Sequence, residues 1–112
     1  MVKYVPDKGD IIYVNFNPAL GHEQKGYRPA LVLSSNDFNK YTNMLIVLPI
    51  SSNIKMFPTH YILRDTKKIK GAVFCEQVKS IDYSKRKIKF IEKASKDDLE
   101  YSQVLFNLCL EQ

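Results

Sequence analysis

The chain has 112 residues, 45% hydrophobic and 26% charged, enough for one domain around a modest core and too apolar for a disordered segment. Seventeen Lys and Arg against twelve Asp and Glu give a net charge of +5 and a pI near 9.2, which favours an anionic partner such as nucleic acid. Two histidines and two cysteines without CxxC or HExxH spacing supply no zinc pattern, no apolar run approaches a membrane span, and the start of the chain lacks the apolar stretch of a secretory signal. The expected setting is therefore cytoplasmic and reducing, with Cys75 and Cys109 as buried free thiols in apolar runs.

In chain order, the turn cluster Pro6-Asp7-Lys8-Gly9-Asp10 releases a β-branched and aromatic run, Ile11–Phe16, that reads as a first strand. A loop rich in charged and amide side chains follows, flanked by Gly21 and Gly26. Ala30–Ser34 is a short continuous apolar run, as expected of a strand buried on both faces. Pro29 opens it and biases Arg28 toward extended geometry at the strand mouth. Ser35-Asn36-Asp37 offers cap residues for a short helix to about Tyr41. Met44–Leu48 is a second buried strand, closed by Pro49. Strands are expected over Pro58–Leu63, Ala72–Val78, Ser80–Tyr83 and Arg86–Ile91, the last with alternating charge and bulk. Ser95-Lys96-Asp97-Asp98 resembles a capping box with Asp in place of Glu or Gln, and Leu99, Ser102, Leu105, Phe106 and Cys109 recur near helical spacing. Several short strands and a terminal helix predict a mainly β fold, a small curved barrel or sandwich with a helix packed on it, as a single domain over residues 1–112.

Charge is uneven along the chain. Residues 64–96 hold eleven basic and four acidic side chains, and residues 97–112 hold four acidic and no basic ones. A basic body suits a phosphodiester substrate, and RNA brings its own nucleophile in the 2′-hydroxyl. The protein then needs only to take a proton, hold the charge of the phosphorane-like transition state and assist the leaving oxygen. Arg28 suits the charge because a guanidinium fork matches phosphate oxygens and stays protonated. Glu23 or His22 offers a base, and the Ser51 hydroxyl a phosphate contact. Glu23 and Arg28 as a plain surface ion pair is the bland alternative.

These residues carry a resemblance. Gly9-Asp10-Ile11-Ile12-Tyr13-Val14, Gly21-His22-Glu23-Gln24-Lys25-Gly26-Tyr27-Arg28-Pro29-Ala30, Leu48-Pro49-Ile50-Ser51 and Glu76-Gln77-Val78-Lys79-Ser80-Ile81 resemble, in order, the blocks of the MazF/PemK family of toxin endoribonucleases. The resemblance implies an SH3-like β-barrel of the CcdB/PemK type, with a short helix after the second core strand and a C-terminal helix, used as a homodimer. It implies sequence-specific cleavage of single-stranded RNA, mostly messenger RNA, without metal or other cofactor, leaving a 2′,3′-cyclic phosphate and a 5′-hydroxyl. It places the main catalytic arginine on Arg28, the motif glutamate on Glu23 and the family's hydroxyl on Ser51, where threonine is common. The PemK-type branch has arginine and aspartate where this chain has Phe74 and Glu76, so its acid–base assignment is not carried over. His22 stands at a variable position, as an accessory candidate.

RNA binding is expected from Gln24, Lys25, Tyr27, Lys55, Phe57, Gln77, Lys79 and Arg86, because single strands want basic grooves and exposed aromatics. The resemblance also implies an antitoxin whose acidic, disordered tail lies along the toxin. The competing reading is a non-catalytic module of the same barrel, either a gyrase-binding toxin of the CcdB type or a nucleic-acid-binding protein. The E-Q-x-G-x-R-P-A loop discriminates against it.

Overall fold

The computed structural model describes residues 3–17, 21–23 and 26–111. Seven strands and two helices follow in the order β1 (Asp10–Asn15), β2 (Tyr27–Val32), α1 (Asn36–Thr42), β3 (Met44–Ser51), β4 (His60–Ile62), β5 (Ala72–Phe74), β6 (Lys79–Asp82), β7 (Lys89–Lys93) and α2 (Lys96–Leu108). A single 3-10 turn, Cys75–Gln77, separates β5 from β6. All observed pairings are antiparallel, along the path β4-β5-β3-β2-β1-β7, with β6 also on β3. Among the described residues the two ends of this path do not pair. The sheet is thus barrel-like and curved but open, and the register shift between Ile11 and Ile12 against β7 adds to its bend.

Strands β1 to β3 bury side chains on both faces, as the continuous apolar runs of β2 and β3 predict. One core holds Ile12, Val14, Phe16, Ala30, Val32, Leu45, Val47 and Ile81. The other holds Ile11, Leu31, Leu48, Ile50, Leu63, Val73 and Cys75, covered by Leu99, Leu105 and Phe106 of α2. At roughly 25 cal/mol per Å² of apolar surface removed from water, these two layers supply the main driving force for folding.

Both helix starts follow their sequence signals. Ser35 accepts a hydrogen bond from Phe38 N, and Ser95 accepts one from Asp98 N at 3.0 Å. The reciprocal half of the expected capping box is absent. Asp98, fully buried, instead accepts from Tyr61 Oη (2.6 Å), Arg64 N (3.2 Å) and Asp65 N (3.0 Å), tying α2 to the end of β4.

Four local expectations need correction. Pro49 does not close β3, which runs on to Ser51. The outer edge of β3 pairs with β6 up to Val47 and with β5 from Ile50, so Pro49 falls at the hand-over, where no partner on that edge needs its missing N–H. The run Ala72–Val78 is a strand only to Phe74 and then turns, which swings Glu76 and Gln77 off the sheet. The last strand begins at Lys89 rather than Arg86, because residues 83–88 form the turn that follows β6. Cys75 is buried as expected, whereas Cys109 is exposed past the end of α2.

Candidate active site

The loop between β1 and β2 is closed at its base. Phe16 N donates to Gly26 O at 2.9 Å, and Gly26 N donates to Asn17 Oδ1 at 3.0 Å. The Arg86 guanidinium clamps the same base through the carbonyls of Asn15 and Asn17. Gly26 sits at φ +83°, a left-handed conformation that side chains resist. The described tip of the loop folds over β6 and the 3-10 turn. Glu23 Oε1 lies 3.1 Å from Lys79 Nζ, and Gln77 Nε2 donates to the His22 carbonyl at 3.2 Å. His22, Glu23, Gln77 and Lys79 therefore line one hollow, together with Glu76 and Val78. Gln24 and Lys25 lie outside the described residues.

Arg28 sits inside β2 rather than before it, because β2 begins at Tyr27. It stands opposite Val14 on β1. On the other side, Ala30 pairs with Pro49 of β3, and continuing that register by two residues brings Ser51 opposite Arg28. Ser51 is buried, and its Oγ accepts from Asn53 N at 3.1 Å. Gly71 packs directly on it, since a Cβ there would lie 2.3 Å from the Ser51 carbonyl oxygen. The space beside Arg28 is a cleft of about 270 Å³ whose walls include Tyr13, Tyr27, Ser52, Lys68 and Lys70. Tyr27 packs its ring on Tyr13 at 5.6 Å and keeps just over half of its surface exposed.

The sequence reading did not single out Lys68 and Lys70. The turn that carries them is held by Glu92, whose carboxylate accepts from the backbone N–H groups of Lys67 (2.9 Å), Lys68 (2.8 Å) and Ile69 (2.8 Å). Burial raises the Glu92 pKa, but these three bonds and the Lys68 charge outweigh it, so the carboxyl lies below its ordinary range. The turn carrying the two lysines is thus pinned from a different strand, a contact that local pattern does not encode.

A second group missed from sequence is His60 with Glu76. The β4–β5 register sets His60 opposite Phe74, and the rings stack at 3.7 Å and 2°. His60 Nε2 lies 2.9 Å from Glu76 Oε2, and the Thr59 hydroxyl donates to Glu76 Oε1 at 2.7 Å. Burial raises the Glu76 pKa, but the bonds from His60 and Thr59 prevail and hold it below the ordinary carboxylate value. Lys55 and Phe57 fall beside this pair, in one hollow with His22 and Gln77. Two of the hollows thus share His22, Glu76 and Gln77 and bring Glu23, Lys55, Phe57 and Lys79 to one side of the sheet. Arg86 lies in a separate hollow with Asn15, Asn17, Tyr27, Lys85 and Lys87. Among the described residues, no three His, Cys, Asp or Glu side chains group as metal ligands, and no helix is long and apolar enough to cross a membrane.

A family described as PemK-like, MazF-like toxin of type II toxin–antitoxin system matches residues 7–107. The endoribonuclease toxin MazF of Escherichia coli (strain K12) is 40% identical over 84 residues, covering 75% of each chain. Among solved structures, MazF (Form-I) from Deinococcus radiodurans matches with a TM-score of 0.92 at 33% identity, covering 96% of this chain and 98% of that one. A MazE–MazF structure (Form-II) from the same organism matches with a TM-score of 0.84 at 28% identity, covering 98% and 99%. The family match over residues 7–107 and the 40% identity to a curated toxin agree: the chain belongs to the PemK-like, MazF-like toxins of type II toxin–antitoxin systems.

Proposed function

We propose that this protein is a sequence-specific endoribonuclease that cuts single-stranded RNA, messenger RNA above all, without a metal or other cofactor. The observation that carries the reading is the placement of Arg28 on β2, opposite Ser51 by continued register, while the β1–β2 loop sets Glu23 against Lys79 on β6, the far neighbour of β3. One arginine, one hydroxyl and one carboxylate on adjoining strands and their covering loop are the parts that 2′-hydroxyl attack requires.

In the proposed reaction the 2′-oxygen attacks the adjacent phosphorus while Glu23 takes its proton, with His22 as the alternative base. Arg28 holds the non-bridging oxygens through bidentate hydrogen bonds as their charge grows. The Ser51 hydroxyl donates to the same phosphate. The bond from phosphorus to the 5′-oxygen breaks, that oxygen takes a proton from solvent water, and the products are a 2′,3′-cyclic phosphate and a 5′-hydroxyl. Lys68 and Lys70 supply positive potential beside Arg28, and Tyr27, Phe57, Lys55 and Lys79 extend the binding surface for the strand.

The solved relative titled MazE–MazF motivates the partner assignment. A cognate antitoxin with an acidic, disordered segment would lie along this basic surface and block it, and the working unit would be a homodimer in the cytoplasm. The test is cleavage of a mixed RNA by purified protein in EDTA, with end-group analysis of the fragments. Arg28→Ala is expected to lower the rate by at least about a hundredfold, as loss of a preorganised donor to a developing anion does. Wild-type cleavage that requires added divalent metal, or fragments bearing 5′-phosphates, would overturn the mechanism.

A further inference from the structure

The hollow between the segment before β4 and the 3-10 turn has a volume of about 440 Å³, and its walls include His22, Lys55, Phe57, His60, Glu76 and Gln77. Its floor is rigid. The His60 ring lies flat on Phe74, its Nδ1 is 2.9 Å from the Lys55 carbonyl oxygen and its Nε2 is 2.9 Å from Glu76 Oε2. Both ring nitrogens thus face oxygen acceptors. His60 thereby clamps the segment before β4 to the turn after β5. It is itself almost hidden, with 8% of its side chain exposed, whereas Glu76 keeps 33%. Phe57 leans on His60 at 5.3 Å and leaves 56% of its surface bare.

The hollow therefore presents a bare aromatic face beside a fixed carboxylate. Thr59, His60 and the backbone N–H of Glu76 itself occupy three of the carboxylate's four acceptor positions, so it retains capacity for one further donor. A fixed carboxylate accepts and cannot donate. It suits the exocyclic amines of cytosine, adenine and guanine. It suits uracil poorly, whose one N3–H is flanked by two carbonyl oxygens. We propose that this hollow is a base-reading subsite, in which one nucleobase of the RNA stacks on Phe57 and gives its exocyclic amine to Glu76, so that one fixed position of the cleavage motif excludes uracil. Thr59 and His60 act as positioning residues that aim the carboxylate. The inference rests on the ribonuclease reading and adds to it which side chain selects which atom of the substrate.

The test begins with mapping of fragment 5′ ends, to find a motif position that always carries an amine-bearing base. At that position an oligonucleotide receives the base without its amine: purine for adenine, pyrimidin-2-one for cytosine or hypoxanthine for guanine. Wild-type kcat/KM should fall about ten- to hundredfold, the size of one hydrogen bond to a charged group. Glu76→Gln, whose amide both donates and accepts, should show a smaller penalty and admit uracil at that position. A wild-type enzyme that cuts RNA with uracil allowed at every position overturns the subsite alone. An equal penalty in both proteins, or a uniform loss of rate in Glu76→Gln with the motif unchanged, does the same, because a scaffold or chemical role would act on all motifs alike. Absence of any RNA cleavage by wild type overturns the ribonuclease reading, and the subsite falls with it. The atom-deletion arm uses wild-type protein, so the test survives a variant that misfolds.

Discussion

Replacing Gly71 with alanine should damage the fold and the active site by the same displacement. A Cβ at Gly71 would lie 2.3 Å from the Ser51 carbonyl oxygen, 2.9 Å from its carbonyl carbon and 3.3 Å from Ser52 Cα. Ordinary contact begins at 3.4 Å, so the end of β3 must retreat by about 1 Å, and the obstructing atoms are backbone with no rotamer to change. Gly71 also holds φ +151°, where a side chain is strained, and its carbonyl accepts from Leu63 N at 2.9 Å, which resists compensating movement of the backbone leading into β5. Overpacking and a disfavoured φ each cost roughly 1–3 kcal/mol, so the expected loss of stability is about 2–6 kcal/mol. A domain near the middle of the typical range of roughly 5–15 kcal/mol remains folded after that loss. Cleavage can therefore be compared on folded protein, and a shift of about 1 Å near a reacting group is worth roughly a hundredfold in rate. Urea unfolding gives the first number and cleavage of a defined oligonucleotide in EDTA gives the second. Gly21→Ala is the control, since its Cβ would meet no atom within 4 Å and only the φ of +60° is disfavoured. Wild-type stability and rate in Gly71→Ala would refute the argument that this close approach sets the position of Ser51 and Ser52.

Asp98→Ala should destabilise by about 3–5 kcal/mol, because it strands the Tyr61 hydroxyl and the Arg64 and Asp65 N–H groups around a fully buried site; a loss under about 1 kcal/mol in urea unfolding would contradict this. Glu76 has a folded pKa below its ordinary 4.5, so its ionised form contributes stability that is fully present above that value and lost as pH falls through the folded pKa. The stability difference between wild type and Glu76→Gln should accordingly be flat from pH 6 down to about pH 5 and shrink below the ordinary carboxylate value; a difference that grows on acidification would reverse the assigned sign. Burial pushes the Cys75 thiol up to about 12, whereas Cys109 is exposed. A neutral thiol reagent should thus label Cys109 in the native protein and Cys75 only after unfolding, as read by peptide mass.

Local chemistry made much of this protein legible from its residues. Ser35 and Ser95 announce their helices because an N-cap is settled within four residues. The unbroken apolar runs of β2 and β3 announce strands covered on both sides, and the Glu23-to-Ala30 block carries the family resemblance and the arginine. Where local signals conflicted with pairing, pairing won. Pro49 looked like a strand end and lies within β3, because only the hand-over from β6 to β5 tells which backbone N–H is dispensable. Asp98 looked like half of a capping box and turns instead toward β4, a choice made by donors more than thirty residues away. The site divides in the same way. Sequence alone determined which residue types were present and that Arg28 lies near the start of a buried strand, though not that it lies within it. Only the tertiary structure decided that Ala30 pairs with Pro49, which sets the ends of β2 and β3 side by side, that Lys79 meets Glu23, that Glu92 pins the Lys68 turn and that His60 meets Glu76. Each of those neighbours is set by strand register or a long-range carboxylate contact, and no short window of sequence specifies either.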